Sequence, residues 1–270
     1  MKRNTAKKQL TLYVFAALVM LTALAWAVAG HYKTLHPSGG QTGHRLSKPV
    51  GITAKESVLL RRLSRVLSNM DLQNQPCTYS ALVSFTNYAD TARTLLNVPL
   101  VLAKDGNNCY FKYGPTEELN KDGLSLYIEH QQKKIMLGKQ KAIRANPVAS
   151  MSAMKENLLT EHYQLSSKSE GSNATITLAN DRNVSCRLYA ITYDTLTYQV
   201  KRIVARLTNY HYITDKSKDR LIDMRFLSWR KEANLGEFLQ VSDVLQQQGN
   251  KWSPAGKFKT YELILSPSYP

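Results

Sequence analysis

The feature that most constrains the fold is a change in the spacing of apolar residues at about residue 76. Before this point apolar side chains recur with a helical period, and after it they recur at every second position. The alternating apolar positions of the first two stretches are Tyr79, Ala81, Val83 and Phe85, followed by Leu96, Val98, Leu100 and Leu102. A period of two is typical of β-strands with one face turned to a core.

Turn sequences separate these stretches from the next ones. Asp105-Gly106 and Asp122-Gly123 are typical of tight hairpins, and they delimit the strand candidates NCYFKYG, TEELN and LSLYIEH. IMLGKQ follows as the last member of this set. Further strands are predicted in NATITLAN, VSCRLYAITYD, TYQVKRIVARLTNY, DRLIDMRFLSW and KTYELIL. Pro99 predicts an edge strand or an irregular one. The pattern predicts a mainly β, α+β domain with a meander of antiparallel strands.

Two helices are predicted beside the strands. Thr53 and Glu56 have the spacing of a capping box, and apolar residues recur on one helical face over residues 53–69. This stripe can pack on the sheet, or the helix can lie on a membrane. A second helix is predicted over residues 150–162, and a short one in GEFLQVSDVLQQQG.

The chain also begins with a long apolar run. Residues 10–30 contain no charged side chain, and 21 helical residues span roughly 30 Å, the thickness of a bilayer core. The length favours a transmembrane helix that stays in place. Ala27-Val28-Ala29 has the spacing of a signal-peptide cleavage site, so a cleaved leader is the alternative, and a buried core helix is a further one.

Basic residues set the expected orientation. Lys2, Arg3, Lys7 and Lys8 precede the apolar run, and only Lys33 lies close on the other side. The positive-inside rule then predicts a cytoplasmic tail at 1–9, a transmembrane helix at 10–30 and an exported remainder. Residues 31–52 are rich in Gly, Pro and Ser and predict a linker, so residues 53–270 form the expected periplasmic domain at a bacterial inner membrane.

The net charge of +16 does not indicate a nucleic-acid partner. Eight of the 36 basic residues precede the first acidic residue, Glu56, so the rest of the chain has 28 basic and 20 acidic residues. That excess is modest and dispersed over an exported domain, which disfavours nucleic-acid binding.

Motifs for chemistry are missing from the sequence. It has no G-x-S-x-G, H-E-x-x-H or C-x-x-C motif and no glycine-rich phosphate loop, so we expect no catalysis, no metal and no cofactor. Asp194 is better explained as a turn residue than as a catalytic one. Cys77, Cys109 and Cys186 are too few for a disulfide framework, and buried free thiols are favoured over a single bridge.

The order of these elements resembles that of the LolA-like (lipoprotein-carrier) superfamily. Residues 79–143, with the "Y-S-x-x-V" strand, the Lys-Asp-Gly turn and the following aromatic strand, are similar to envelope proteins of the Bacteroidetes type. The resemblance covers about residues 55–265. It implies a curved antiparallel sheet, an incomplete barrel, around an apolar cavity that holds acyl chains beneath helices.

The cavity remains one of two alternatives, since a filled core predicts the same alternation. If a cavity exists, its lining is expected from the apolar sides of the first strands: Tyr79, Val83, Phe85, Leu96, Val98, Leu100, Leu102, Phe111 and Leu126. The expected function is lipid or lipoprotein binding by a membrane-anchored domain. The alternative is a structural or assembly subunit of a cell-envelope complex, such as a secretion apparatus.

Overall fold

A computed structural model describes residues 53–70, 75–141, 161–249 and 251–266. The predicted cytoplasmic tail, transmembrane segment and linker lie outside the described residues, as does nearly all of the helix predicted at 150–162. Within the described part of the chain, no helix has the length and apolar character needed to span a bilayer.

The described helices are α1 (Ala54–Ser68) and the single-turn α2 (Val241–Val244). The strands of the first half are β1 (Cys77–Asn87), β2 (Leu95–Asp105), β3 (Asn108–Tyr113), β4 (Thr116–Lys121), β5 (Leu124–Glu129) and β6 (Lys134–Lys139). Those of the second half are β7 (Gln164–Glu170), β8 (Asn173–Ala179), β9 (Cys186–Asp194), β10 (Val200–Leu207), β11 (Arg220–Arg230), β12 (Leu245–Gln248), β13 (Lys251–Pro254) and β14 (Glu262–Leu265).

Helix α1 starts at the predicted capping box. The Glu56 amide donates to Thr53 Oγ1 over 3.2 Å, and the Thr53 amide donates back to Glu56 Oε2 over 2.9 Å. These two bonds satisfy amides that no helical carbonyl can reach. The helix therefore begins one residue after Thr53, close to the predicted start.

Twelve strands form one sheet in the order β14-β6-β5-β4-β3-β2-β1-β11-β10-β9-β8-β7, and β12 pairs with β13 in a separate hairpin. Strands β2–β6 are successive antiparallel neighbours, as are β7–β10. The prediction of a mainly β, antiparallel meander is confirmed. One departure is β14, which pairs with β6 in parallel. The end strands β14 and β7 are not paired with each other, so the described sheet is not closed into a barrel.

The chain divides into two compact units. Of the described residues, the first unit has 53–70, 85–94 and 161–223, and the second has 75–84, 95–141, 224–249 and 251–266. The boundaries pass through β1 and β11, so each unit contains part of both strands.

In the first unit, α1 buries its apolar stripe. Leu63 and Val66 have no exposed surface, and the Arg65 guanidinium lies 4.1 Å from the centre of the Tyr198 ring. On the strands of this unit, Ile176 of β8 and Ile191 of β9 are cross-strand partners, and both are fully buried. The prediction that the amphipathic helix packs on a sheet is therefore confirmed.

In the second unit, one face of β2–β6 is covered by the C-terminal part of the chain. We call it the Leu126 face, and its buried residues are Ala103, Tyr110, Leu119, Leu126, Ile128, Ile135 and Leu137. Leu235, Val244, Leu245 and Phe258 pack against this face and are also buried. The Leu126 face is therefore a filled core.

Candidate functional site

The opposite face of β2–β6 carries three of the nine predicted ligand-contacting residues, Leu100, Leu102 and Phe111. Strand pairing aligns its side chains in rows, and the central row runs Leu102, Phe111, Glu118, Tyr127 and Met136. A flanking row starts with Leu100, Tyr113 and Thr116. We call this surface the Phe111 face.

The central row of the Phe111 face is less covered than the Leu126 face, whereas Leu100, Tyr113 and Thr116 of the flanking row are buried. Leu102, Phe111 and Tyr127 are half-buried, and Met136 is 44% exposed. On the other side, Leu126 is fully buried between its cross-strand partners Leu119 and Leu137. An antiparallel sheet with one packed face usually has a polar second face. Here, four of the five side chains in the central row of the second face are apolar or aromatic, and the fifth is Glu118.

The polar groups flanking this row are bonded locally. Asn120 Nδ2 donates to the carbonyls of Asn107 and Lys141 over 2.8 and 2.9 Å, and Asn120 Oδ1 accepts the Lys141 amide over 2.9 Å. Glu129 accepts the Thr116 hydroxyl over 3.3 Å and the Gln131 amide over 3.1 Å. These side chains hold the loops beside the strands. They leave the apolar row as the part of the face suited to a ligand.

Glu118 is the one carboxyl group in the central row. Burial raises its pKa, and the charge of Lys141 opposes this effect only partly. Burial also raises the pKa of the neighbouring Cys109 thiol to about 12, and the Glu118 charge adds to the shift. The row therefore favours neutral groups, which is the electrostatic character that an acyl chain requires.

Strand β1 continues the surface beyond β2. The sheet order places β1 beside β2. Burial raises the pKa of the Cys77 thiol to about 11, and the charge of Lys104 opposes this shift. Tyr79 and Val83 are both buried. The Tyr79 ring already packs against other aromatic rings and is therefore not available to a ligand. It stacks on Trp229 with the ring centres 5.0 Å apart and packs edge-to-face with Phe226 at 5.5 Å.

The structure brings only some of the predicted site residues together. Leu102 and Phe111 are direct cross-strand partners, and Leu100 lies in the adjacent row of the same face. Leu126 lies on the opposite face, and Phe85 belongs to the first unit. Leu96 is 66% exposed and Val98 is half-buried.

The first part of β2 is irregular, as Pro99 predicts. Strand β2 is not at an edge, and the irregularity lies at Asn97, which has a φ of 52°. Its amide donates to the Ser84 hydroxyl over 2.9 Å instead of to a strand carbonyl. This break in the strand interrupts the simple alternation on which the prediction for Leu96 and Val98 relied.

Sequence reasoning missed Glu118, Tyr127 and Met136 as members of the face. The signal was present in the turns, since two-residue connections join β2–β3, β3–β4 and β4–β5. Such turns fix the register and place Phe111 opposite Glu118, and Glu118 opposite Tyr127.

Two smaller expectations are also resolved. Cys77, Cys109 and Cys186 are free thiols, and Cys77 and Cys186 are buried. Asp194 Oδ1 accepts the amides of Leu196 and Thr197 over 3.0 and 2.8 Å, which is the turn role expected for it. Across the described residues, no group of three or more His, Cys, Asp or Glu side chains is arranged to hold a metal ion.

Comparisons with known proteins give fold-level similarities only. No protein-family model and no curated protein matches the chain. Its structure is similar to that of a LolA superfamily protein from Nitrosomonas europaea, with 8% identity, 66% of this chain and 97% of that chain covered, and a TM-score of 0.29. It is also similar to a DUF1329 family protein from Desulfovibrio piger, with 9% identity, 73% and 99% covered, and a TM-score of 0.29. Identities and TM-scores this low establish neither family membership nor function.

Proposed function

We propose that the chain is a LolA-like envelope protein of the Bacteroidetes type that binds the acyl chains of a lipid or lipoprotein on its Phe111 face. An N-terminal helix at residues 10–30 anchors it in the bacterial inner membrane, with the main domain in the periplasm. The proposal includes no catalytic step. Its sequence support is the resemblance of residues 79–143 and the uncharged run at 10–30.

One observation carries the proposal. The sheet of the second unit has a filled core on its Leu126 face and a second apolar surface on its Phe111 face. Apolar side chains left half-buried on a strand face gain free energy when another apolar surface covers them, at roughly 25 cal/mol per Å². An acyl chain supplies such a surface without needing hydrogen-bond partners. The row Leu102, Phe111 and Tyr127 offers it contacts across neighbouring strands.

The choice of test variant follows from burial. Val83 and Leu100 are 7% and 1% exposed, so tryptophan at either position would overpack the protein whether or not a ligand binds there. Leu102 is half-buried, so a tryptophan there extends over the face and competes with a ligand. Leu196 is 84% exposed in the β9–β10 turn, and Leu196→Trp makes the same chemical change away from the face.

The experiment is native mass spectrometry of the full chain released from a mild detergent. The parent protein and the Leu196→Trp control are expected to retain a bound lipid or acylated molecule that Leu102→Trp loses. After the lipid is stripped, all three proteins are expected to melt at the same temperature, since a bound ligand would itself raise it. A parent protein without bound lipid that isolates envelope proteins would instead support a structural subunit. Equal lipid retention by both variants would show that the lipid binds somewhere other than the Phe111 face.

A further inference from the structure

Exposed apolar side chains concentrate at one end of the first unit. Three loops meet there, namely residues 88–94 between β1 and β2, 180–185 between β8 and β9, and 208–219 between β10 and β11. Five of the eleven large apolar side chains that are exposed in the described residues lie on these loops: Tyr88, Val184, Tyr210, Tyr212 and Ile213. Their exposed fractions range from 46% to 59%. We call the three loops together the tyrosine loops.

Hydrogen bonds between the loops hold them in one arrangement. The Thr208 amide donates to the Ser185 carbonyl over 3.0 Å, and the Thr208 hydroxyl donates to the Asn183 carbonyl over 2.8 Å. The Tyr88 amide donates to the Asp219 carbonyl over 3.2 Å. The three loops are therefore joined through their backbones, which keeps their five exposed apolar side chains at the same end of the unit.

A buried group of charges fixes the largest loop. Asp219 is fully buried and accepts from Arg187 Nε over 3.1 Å and from Arg206 Nε over 2.8 Å. Arg187 also donates to the carbonyls of Asp181 and Ile213. Burying charges is costly unless they are paired. Here, the paired charges of Asp219, Arg187 and Arg206 fix the backbone of a loop whose apolar side chains remain exposed to solvent. This indicates that the loop presents these side chains to a binding partner.

The charge of this surface is positive. The tyrosine loops and the buried group of charges have six cations and four carboxylates: Arg93, Arg182, Arg187, Arg206, Lys216 and Lys218 against Asp90, Asp181, Asp215 and Asp219. Arg220 follows the largest loop directly, at the start of β11. Most of the carboxylates are already engaged. Asp90 pairs with Arg93, Asp181 with Lys216, and Asp219 with two arginines. The fourth carboxylate, Asp215, has its pKa lowered mainly by hydrogen bonds from Ser217 and also by the charge of Lys218. Arg182 forms no ion pair among the described residues, and Arg220 lies 5.9 Å from the Tyr210 ring.

We infer that the tyrosine loops are a contact surface for a bilayer that contains anionic lipid. Tyrosine rings suit the headgroup region because they bury an apolar body while the hydroxyl stays hydrated. Basic side chains around them are attracted to anionic headgroups. Membrane affinity then rises with both the apolar area inserted and the cations nearby. This surface lies in the first unit and does not depend on a ligand at the Phe111 face.

The full chain is held in phosphatidylcholine nanodiscs and mixed with sucrose-loaded vesicles. The vesicles contain phosphatidylcholine alone or with 30% phosphatidylglycerol, about one lipid in three, which gives them a clear negative surface potential. The parent protein is expected to sediment at least ten-fold more strongly with the anionic vesicles, and to be released by 0.5 M salt, about the concentration at which exposed charges are screened.

Two variants and one control separate the contributions. Tyr210→Ser combined with Tyr212→Ser and Ile213→Ser is expected to weaken sedimentation at least ten-fold, and Lys218→Gln with Arg220→Gln to remove the preference for anionic vesicles. Leu196→Ser with Leu227→Ser removes two other exposed leucines, 84% and 64% exposed, and should change nothing. Melting temperatures verify that each protein is folded. The inference is overturned if the parent protein does not sediment with anionic vesicles, or if the triple variant sediments as well as the parent.

Discussion

Replacing one leucine on each face of β2–β6 with alanine should separate a filled core from a ligand surface. Leu126 is fully buried between Leu119 and Leu137, so Leu126→Ala removes packed atoms and leaves a cavity, at a cost of about 3 kcal/mol. Leu102 keeps part of its surface in solvent, so Leu102→Ala leaves no closed cavity and is expected to cost only about 1 kcal/mol.

The expected difference of about 2 kcal/mol is measurable by urea unfolding. With a urea dependence of about 2 kcal/mol per molar, the midpoint of Leu126→Ala should lie about 1 M below that of Leu102→Ala. Trp229 and Trp252 both belong to the second unit, so tryptophan fluorescence of the lipid-stripped full chain follows this unit once Trp26 is replaced by phenylalanine in all variants. Equal midpoints for the two variants would refute the reasoning, because the Phe111 face would then be packed as tightly as the Leu126 face.

Two further predictions concern buried charges and thiols. Asp219→Ala should destabilise the first unit by about 3 kcal/mol, because Arg187 is only 5% exposed and loses the carboxylate that neutralises it. Arg206→Ala should cost less, since the Arg206 side chain is 39% exposed. Thermal unfolding followed by circular dichroism compares the two variants, and equal losses of stability would contradict the role given to burial. Burial raises the pKa of Cys77 to about 11 and that of Cys109 to about 12, so the folded protein keeps thiol protons that the unfolded chain releases above about pH 9. The contribution of these two thiols to the stability of the folded protein is therefore fully present below pH 9 and is lost as the pH rises towards 12. Replacing both cysteines by alanine should make the melting temperature fall less steeply between pH 9 and pH 12.

The meander was predictable because local signals agree there. Alternating apolar residues mark β1–β6, and the Asp122-Gly123 turn between β4 and β5 has positive φ at both residues, 56° and 80°. Strand β7 was not predicted because its sequence, QLSSKSE, has one apolar residue and therefore no alternation to detect. Strand β14 was predicted as a strand, but its parallel pairing with β6 depends on a contact between residues about 130 positions apart, which no local pattern encodes.

The candidate site was partly predictable for a related reason. Alternation identifies which residues of one strand share a side, and it correctly groups Leu100 with Leu102. It does not say which side of the next strand joins them, and Leu126 was assigned by its apolar character to a face that carries Ser125 and Tyr127 instead. The tyrosine loops escape such reasoning entirely, because their proximity follows from the order of strands in the sheet.

The most direct test of acyl-chain binding is photochemical capture at the Phe111 face in intact cells. Phe111 is replaced by a benzophenone-bearing phenylalanine in the full chain, and Phe238, which stacks on Tyr110 on the Leu126 face with ring centres 4.7 Å apart, is replaced in a control. Illumination is followed by mass spectrometry of the captured adducts. The account predicts that the Phe111 position captures a lipid or acylated molecule and that the Phe238 position captures none. Capture of protein alone at Phe111, or of lipid equally at both positions, would contradict it.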